Sequence, residues 1–332
     1  MKLGLIGSGR IGDMHARALG ELDQVDSLVI ADADPARAEG LAERVGADAD
    51  TVDELYSSGV DGVLIAAATS AHARLVHQAL DNRTPVFCEK PVALDVAGTR
   101  EVVSHAESCG VPVQIGFQRR FDAGYLAARE AVRDGRLGWL HTLRAVTADE
   151  TPPPADYIPT SGGLFRDCGI HDFDIMRWLT GREVVSVHAT GANRGAAFFT
   201  EGGDVDTAAA VLTFEDGMLA TVTATRYNGA GHDVRLEVCG SDGAMFVGND
   251  ERAPLPSAEQ DIGWPSGTPY RTFVERFGPA YSRELSSFVE VVAGRAGSPC
   301  SAVEALEALY VAEACQLSHD EERVVRLDEV RA

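Results

Sequence analysis

The sequence predicts an α/β chain of two domains. Residues 1–119 should form a doubly wound parallel sheet, and residues 120–332 an α+β domain with a large, mainly antiparallel, open-faced sheet. Three observations carry this. A short apolar strand, Lys2–Ile6, runs straight into Gly7-Ser8-Gly9-Arg10-Ile11-Gly12. Apolar strand patterns then alternate with helix-forming stretches as far as Arg119. Beyond it the pattern changes to longer runs joined by turn sequences. At 332 residues the chain is too long for one small core, so two domains are expected.

Each part of the glycine turn has a mechanical role. Gly7 permits the tight turn, Gly9 lets backbone approach a pyrophosphate, and Gly12 lets the following helix pack on the strand. The helix entered through Arg10 and Ile11 presents N–H groups to phosphates. A second apolar strand, 25–31, ends at Asp32, which is 32 − 12 = 20 residues past Gly12. Strand, glycine turn, helix, strand and acid at this spacing form a Rossmann-type dinucleotide unit. Asp32 can accept hydrogen bonds from both hydroxyls of an adenine ribose and repels a 2′-phosphate. Ala33 brings no cation to offset that repulsion, so the expected cofactor is NAD. Arg37 is either a cover for the adenine or a surface arginine.

The alternation continues in order. Asp34-Pro35 opens a helix with a cap and a first-turn proline. The strand 62–68 leads into Thr69-Ser70-Ala71-His72 and another helix. The strand 86–88 ends in Glu89-Lys90-Pro91, Asp95 starts a helix, and 111–116 is a further strand. Ligands of such sheets sit beyond the carboxyl ends of the strands, where Thr69, His72, Glu89 and Lys90 all fall. Held between a strand end and a proline, the Lys90 ammonium can point into a cofactor crevice.

In the second domain the stretch SGGLFRDCGIHDFDIMRWL, 161–179, places apolar residues at helical spacing. Asp167, His171 and Asp174 fall at i, i+4 and i+7, one stripe of an α-helix. A carboxylate one turn from an imidazole can hold its tautomer and raise its basicity, as a general base requires. The alternative is a half-exposed helix with a solvated acidic edge. Runs at 183–191, 206–214, 218–227 and 233–239 read as strands, with turns at 215–217 and 241–243. Thr221, Thr223 and Thr225 alternate with Ala220, Val222 and Ala224, giving a polar and a small apolar face. The stretch 249–269 is an aperiodic loop, functional or mobile. Segments 283–293 and 301–318 read as closing amphipathic helices.

Composition excludes several functions. The 29 basic and 51 acidic side chains give 29 − 51 = −22, a field that repels nucleic acid and anionic membranes. A neutral substrate, or an anion held by a local pocket, fits better. Six scattered cysteines without C-x-x-C spacing argue against structural zinc and against a disulfide framework, and no metal-ligand spacing is present. The start lacks a signal-peptide pattern, and no apolar run is long enough to span a bilayer. A cytoplasmic protein is expected.

The glycine unit, Glu89-Lys90-Pro91, Gly116-Phe117-Gln118-Arg119-Arg120-Phe121 and GGLFRDCGIHDFD together resemble the Gfo/Idh/MocA oxidoreductases, most of all the inositol 2-dehydrogenases. The resemblance implies NAD-dependent oxidation of a secondary alcohol of a cyclic polyol, myo-inositol to 2-keto-myo-inositol in the first instance. It implies a catalytic lysine at Lys90, a general base at His171 and a supporting carboxylate at Asp167. Asp174, Gln118, Arg119 and Asp149 match substrate-facing positions, and His232 stands near one that is often tyrosine. Ala148 occupies the place of a usual arginine. A different sugar or an aminocyclitol as substrate, or a non-catalytic dinucleotide-dependent sensor, are the alternatives. Together with the open sheet face, the resemblance implies a homotetramer.

Overall fold

The computed structural model describes residues 1–331. It groups into two compact units, Met1–Phe121 with Pro279–Leu306, and Asp122–Gly278 with the chain from Glu307 onward. The sequence reading put everything after residue 119 into one second domain, whose last residue, Ala332, lies outside the described residues. The return of 279–306 to the first unit is visible only in packing. Leu285, Phe288 and Val289 share a buried cluster with Leu3, Leu5, Leu19, Leu28 and Phe87.

The first unit is built in chain order from β1 (Lys2–Ile6), α1 (Arg10–Gly20), β2 (Ser27–Ala31), α2 (Pro35–Val45), β3 (Asp48–Asp50), β4 (Gly62–Ile65), α3 (Thr69–Asp81), β5 (Val86–Glu89), α4 (Val96–Cys109) and β6 (Val113–Gly116). The six strands lie parallel in the order β3-β2-β1-β4-β5-β6. That order reverses between β1 and β4, the switch point beyond which ligands of such sheets bind. Helix starts follow the caps: the Asp34 carboxylate accepts from Ala36 N at 3.1 Å, and Asp95 from Gly98 N at 2.8 Å.

The second unit contains α5 (Ala123–Arg133), β7 (Leu140–Ala148), α6 (Ile170–Thr180), β8 (Val184–Ala192), α7 (Phe198–Glu201), β9 (Thr207–Phe214), β10 (Leu219–Thr225), β11 (Asp233–Gly240) and β12 (Ala244–Val247). Two long helices follow, α8 (Phe273–Val292) and α9 (Ala302–Glu321), then β13 (Val325–Arg326) and α10 (Leu327–Arg331). The strand order is β12-β11-β7-β10-β9-β8-β13. All neighbours are antiparallel except β7 and β10, so the sheet is mixed and mostly antiparallel.

β7 was not read as a strand from the sequence, yet it is central to the sheet and delivers Asp149. In β10 the alternation is as expected, with Ala220, Val222 and Ala224 buried and Thr221 and Thr223 exposed. The segment after β12 is irregular but closed on itself. Arg252 Nε donates to Thr268 O (2.7 Å), the Tyr270 hydroxyl donates to Asp250 (3.1 Å), and Gly267 N donates to Glu251 O (2.7 Å).

Candidate active site

In the first unit the expected residues gather at the carboxyl ends of the strands. Gly7 has φ +109, and a Cβ there would lie 2.5 Å from Ala66 O. A Cβ on Gly12 would lie 1.8 Å from Gly7 O, so the helix can approach the strand only without a side chain. A Cβ on Gly9, by contrast, meets only Arg37 Nη2, at 4.0 Å, which leaves the outer side of the turn open. No side chain caps the start of α1, and the buried Ser8 Oγ has no hydrogen-bond partner. An uncapped eleven-residue helix beside an orphaned hydroxyl fits the diphosphate of a dinucleotide.

Asp32 is committed further than its sequence position suggests. Oδ2 accepts from Ser8 N at 2.6 Å and Oδ1 from Asp34 N at 3.0 Å, so the acid also ties down the glycine turn. Each oxygen keeps a lone pair for a ribose hydroxyl.

Glu89 and Lys90 sit at the end of β5, with a cis Lys90–Pro91 peptide. Glu89 Oε1 lies 2.6 Å from Nε2 of the fully buried His15, a residue the sequence reading missed. The signal was present in retrospect, as His15 lies one turn into α1 on the face that packs against the sheet.

His72, expected near cofactor, is buried, with Nδ1 2.7 Å from Pro91 O and Nε2 3.0 Å from Ala67 O. Both ring nitrogens are occupied by backbone. The ring therefore ties the Lys90–Pro91 turn to the end of β4 instead of facing a ligand. Thr69 is half-buried at the start of α3, and Arg37 is exposed. Gln118 and Arg119, expected to face substrate, are 4% and 3% exposed in a short 3₁₀ turn.

In the second unit, Phe165–Gly169 forms a π-helical turn that runs into α6. A π turn is wound wider than 3.6 residues, so the α-helical stripe expected through Asp167, His171 and Asp174 is not realised. Asp172 and Asp174 are fully buried and His171 is half-buried. This excludes a solvated acidic edge, and it leaves Asp174 no exposed surface for the substrate contact expected of it. Such wide turns recur at functional sites.

The π turn delivers Asp167 into a polar cluster. Asp167 Oδ1 accepts from the Tyr157 hydroxyl (3.0 Å) and Oδ2 from Arg226 Nη2 (2.7 Å). Arg226 Nη1 donates to Asp149 Oδ2 at 3.2 Å and to Cys168 Sγ at 2.9 Å. Asp149 Oδ1 lies 3.5 Å from Nδ1 of the buried His232. His232 N donates to Tyr270 O (2.7 Å), which fixes the irregular segment beside the cluster.

Burial would lower the Arg226 guanidinium, but Cys168, Asp167 and Asp149 outweigh it and raise the group well above its ordinary value. It therefore stays charged. Asp149, Asp167 and His232, each expected separately at the site, are thus brought together. Arg226, Tyr157 and Cys168 complete the group. Arg226 was missed because it follows a strand whose register on β7 no motif reveals.

Chemically the cluster offers carboxylate acceptors for hydroxyl hydrogens beside an imidazole-bearing turn. Among the described residues no group of three or more His, Cys, Asp or Glu side chains is placed to hold a metal ion. Among them, too, no helix is long and apolar enough to cross a membrane.

Comparisons with known proteins agree along the whole chain. Residues 1–117 match the profile of an oxidoreductase family with an NAD-binding Rossmann fold, and 125–246 match the GFO/IDH/MocA C-terminal domain. The myo-inositol dehydrogenase Hyg17 of Streptomyces leeuwenhoekii is 39% identical over 91% of this chain and 91% of its own. The myo-inositol 2-dehydrogenase of Thermotoga maritima is 35% identical over 99% of each chain. The crystal structure of scyllo-inositol dehydrogenase from Lactobacillus casei with bound NAD(H) and scyllo-inositol is also similar. It superposes with a TM-score of 0.89 at 27% identity, over 99% of this chain and 99% of that one.

Proposed function

Since the chain belongs to the Gfo/Idh/MocA oxidoreductases and carries their NAD-binding Rossmann fold, we propose that it oxidises a secondary alcohol of a cyclic polyol, myo-inositol to 2-keto-myo-inositol fitting best. The observation that carries this reading is the Asp149–Arg226–Asp167 cluster, two partly exposed carboxylates on a buried arginine, set in part on the π turn that leads to His171. Carboxylates oriented by an arginine are strong acceptors for the hydroxyls of a neutral polyol.

Oxidation removes a proton from the hydroxyl and a hydride from the same carbon. Bound NAD supplies the hydride acceptor. His171 takes the proton as general base, and Asp167 shapes the field around it. The Lys90 ammonium lowers the hydroxyl's pKa and stabilises the developing alkoxide. Gly7, Gly9, Gly12, Ser8 and Asp32 hold the dinucleotide. The test is a panel of cyclitols and aldoses assayed for NADH formation. Turnover with cyclitols above aldoses is expected, and NADH formation with none of them would end the reading.

The same reading includes a homotetramer in the cytoplasm. Its support is the exposed face of the second sheet, where Val211, Leu219 and Phe246 are exposed beside the threonines, and the absence of C-x-x-C spacing among the six cysteines. A monomeric mass by light scattering at micromolar protein would rule the assembly out.

A further inference from the structure

Arg226 lies one residue beyond β10. The register of β10 on β7, Thr225 opposite Ala148, sets it beside Asp149. Its side chain is 3% exposed, and its terminal nitrogens are divided among Asp149 Oδ2, Asp167 Oδ2 and Cys168 Sγ. Two carboxylates from separate elements, the end of β7 and the π turn, therefore meet on one cation. Without it, that shared contact is lost and two like charges are left facing each other.

Other groups touch the cluster as well. The Tyr157 hydroxyl donates to Asp167 but carries no positive charge. His232 reaches Asp149 only at 3.5 Å, and the Cys168 thiol is itself held by Arg226. A lysine is a point charge on a flexible stem and cannot reproduce a planar fork shared by three acceptors.

We propose that Arg226 is a positioning residue for the reaction: it holds Asp149 and Asp167 in fixed register as acceptors for the hydroxyls of a neutral polyol. This rests on the reading of Asp149 and Asp167 as substrate contacts. It also makes the cluster net negative by one charge, which disfavours acidic sugars against neutral ones.

The test compares wild type with Arg226→Lys, Arg226→Met and Arg226→Ala. Loss of one charge-assisted hydrogen bond corresponds to an increase in polyol KM of about 10–100-fold. NADH affinity should stay within about twofold, since no cofactor contact is removed. The acid limb of kcat/KM should move to higher pH in Arg226→Met and Arg226→Ala, the two variants that remove the positive charge. Methylguanidinium should restore part of the activity of Arg226→Ala, an effect that a merely structural role would not produce.

An activity-independent arm follows the ultraviolet absorbance of the Cys168 thiolate, taken as a difference against Cys168→Ser. The thiolate should form at higher pH in Arg226→Met than in wild type. Wild-type polyol KM in Arg226→Lys, a wild-type pH profile in Arg226→Met, or an unmoved Cys168 titration in Arg226→Met would overturn the proposal. A wild type that oxidises no polyol would instead overturn the proposed function, while the thiolate titration would still decide whether the clamp exists.

Discussion

Replacing Asp32 tests two of its duties at once. In the structure its carboxylate accepts from Ser8 N at 2.6 Å and from Asp34 N at 3.0 Å. Hydrogen bonds to a charged acceptor contribute about 1.5–3 kcal/mol each when well sheltered. Asp32 is only half-buried, so Asp32→Ala should cost about 2–3 kcal/mol in all. For a unit of this size that is a fall in Tm of about 4–12 °C. The second duty is cofactor choice. At about 4 Å in water-like screening, one pair of like charges costs about 1 kcal/mol, and a dianionic 2′-phosphate about twice that. Wild type should therefore favour NAD over NADP by about 30-fold in kcat/KM, and Asp32→Ala should narrow the ratio severalfold. Asp32→Asn separates the two effects. It keeps an acceptor for one N–H but loses the charge, so discrimination should fall more than stability. The assays are kcat/KM with each dinucleotide and Tm by calorimetry. A wild type that prefers NADP, or an Asp32→Ala variant with unchanged Tm, would refute the reasoning.

Further outcomes are expected elsewhere in the chain. Lys90→Ala should lose most turnover and some NADH affinity, and in the double variant with His171→Ala the losses should not add if, as proposed, both residues serve one proton transfer. Additive losses in that cycle would separate their roles. At Glu183, burial would raise the carboxyl, but its bonds to Arg177 (2.7 and 2.6 Å) outweigh it and hold the group below its usual range. A depressed folded value contributes stability that is present above about pH 4.5 and lost as the pH falls through the folded value. Glu183→Gln should therefore flatten the acid side of the Tm-against-pH curve, and Tm should change least at pH below the folded value of Glu183.

Much of the first unit was legible in the sequence because its signals are local. The glycine turn, the Asp34 and Asp95 caps and the buried strands are each decided within a few residues of chain. The strand β7 escaped because its run of Leu, His, Thr and Arg alternates too weakly to be told from a loop. The register that pairs it with β10 also depends on contacts some 77 residues apart, from Asp149 to Arg226. The same distance hid Arg226 and, with it, the reason Asp149 and Asp167 belong together. The α-helical stripe through Asp167 failed for a different cause. A single π turn changes which residues share a face, and spacing alone assumes one winding throughout. Burial decided the remaining differences: Asp174, Gln118 and Arg119 look like surface polar groups in a string of letters, yet almost none of their surface is exposed.

The most direct measurement is His171→Ala, assayed for polyol oxidation across pH and, on the same preparation, for NADH binding by fluorescence. If His171 is the base, turnover should fall by about 10²–10⁴ and the ionisation on the acid side of kcat/KM should disappear. NADH should bind with nearly unchanged affinity if, as proposed, the glycine turn and Asp32 hold the dinucleotide. Wild-type turnover at every pH would contradict the assignment of the base, and a loss of NADH affinity matching the loss of rate would contradict its restriction to the chemical step.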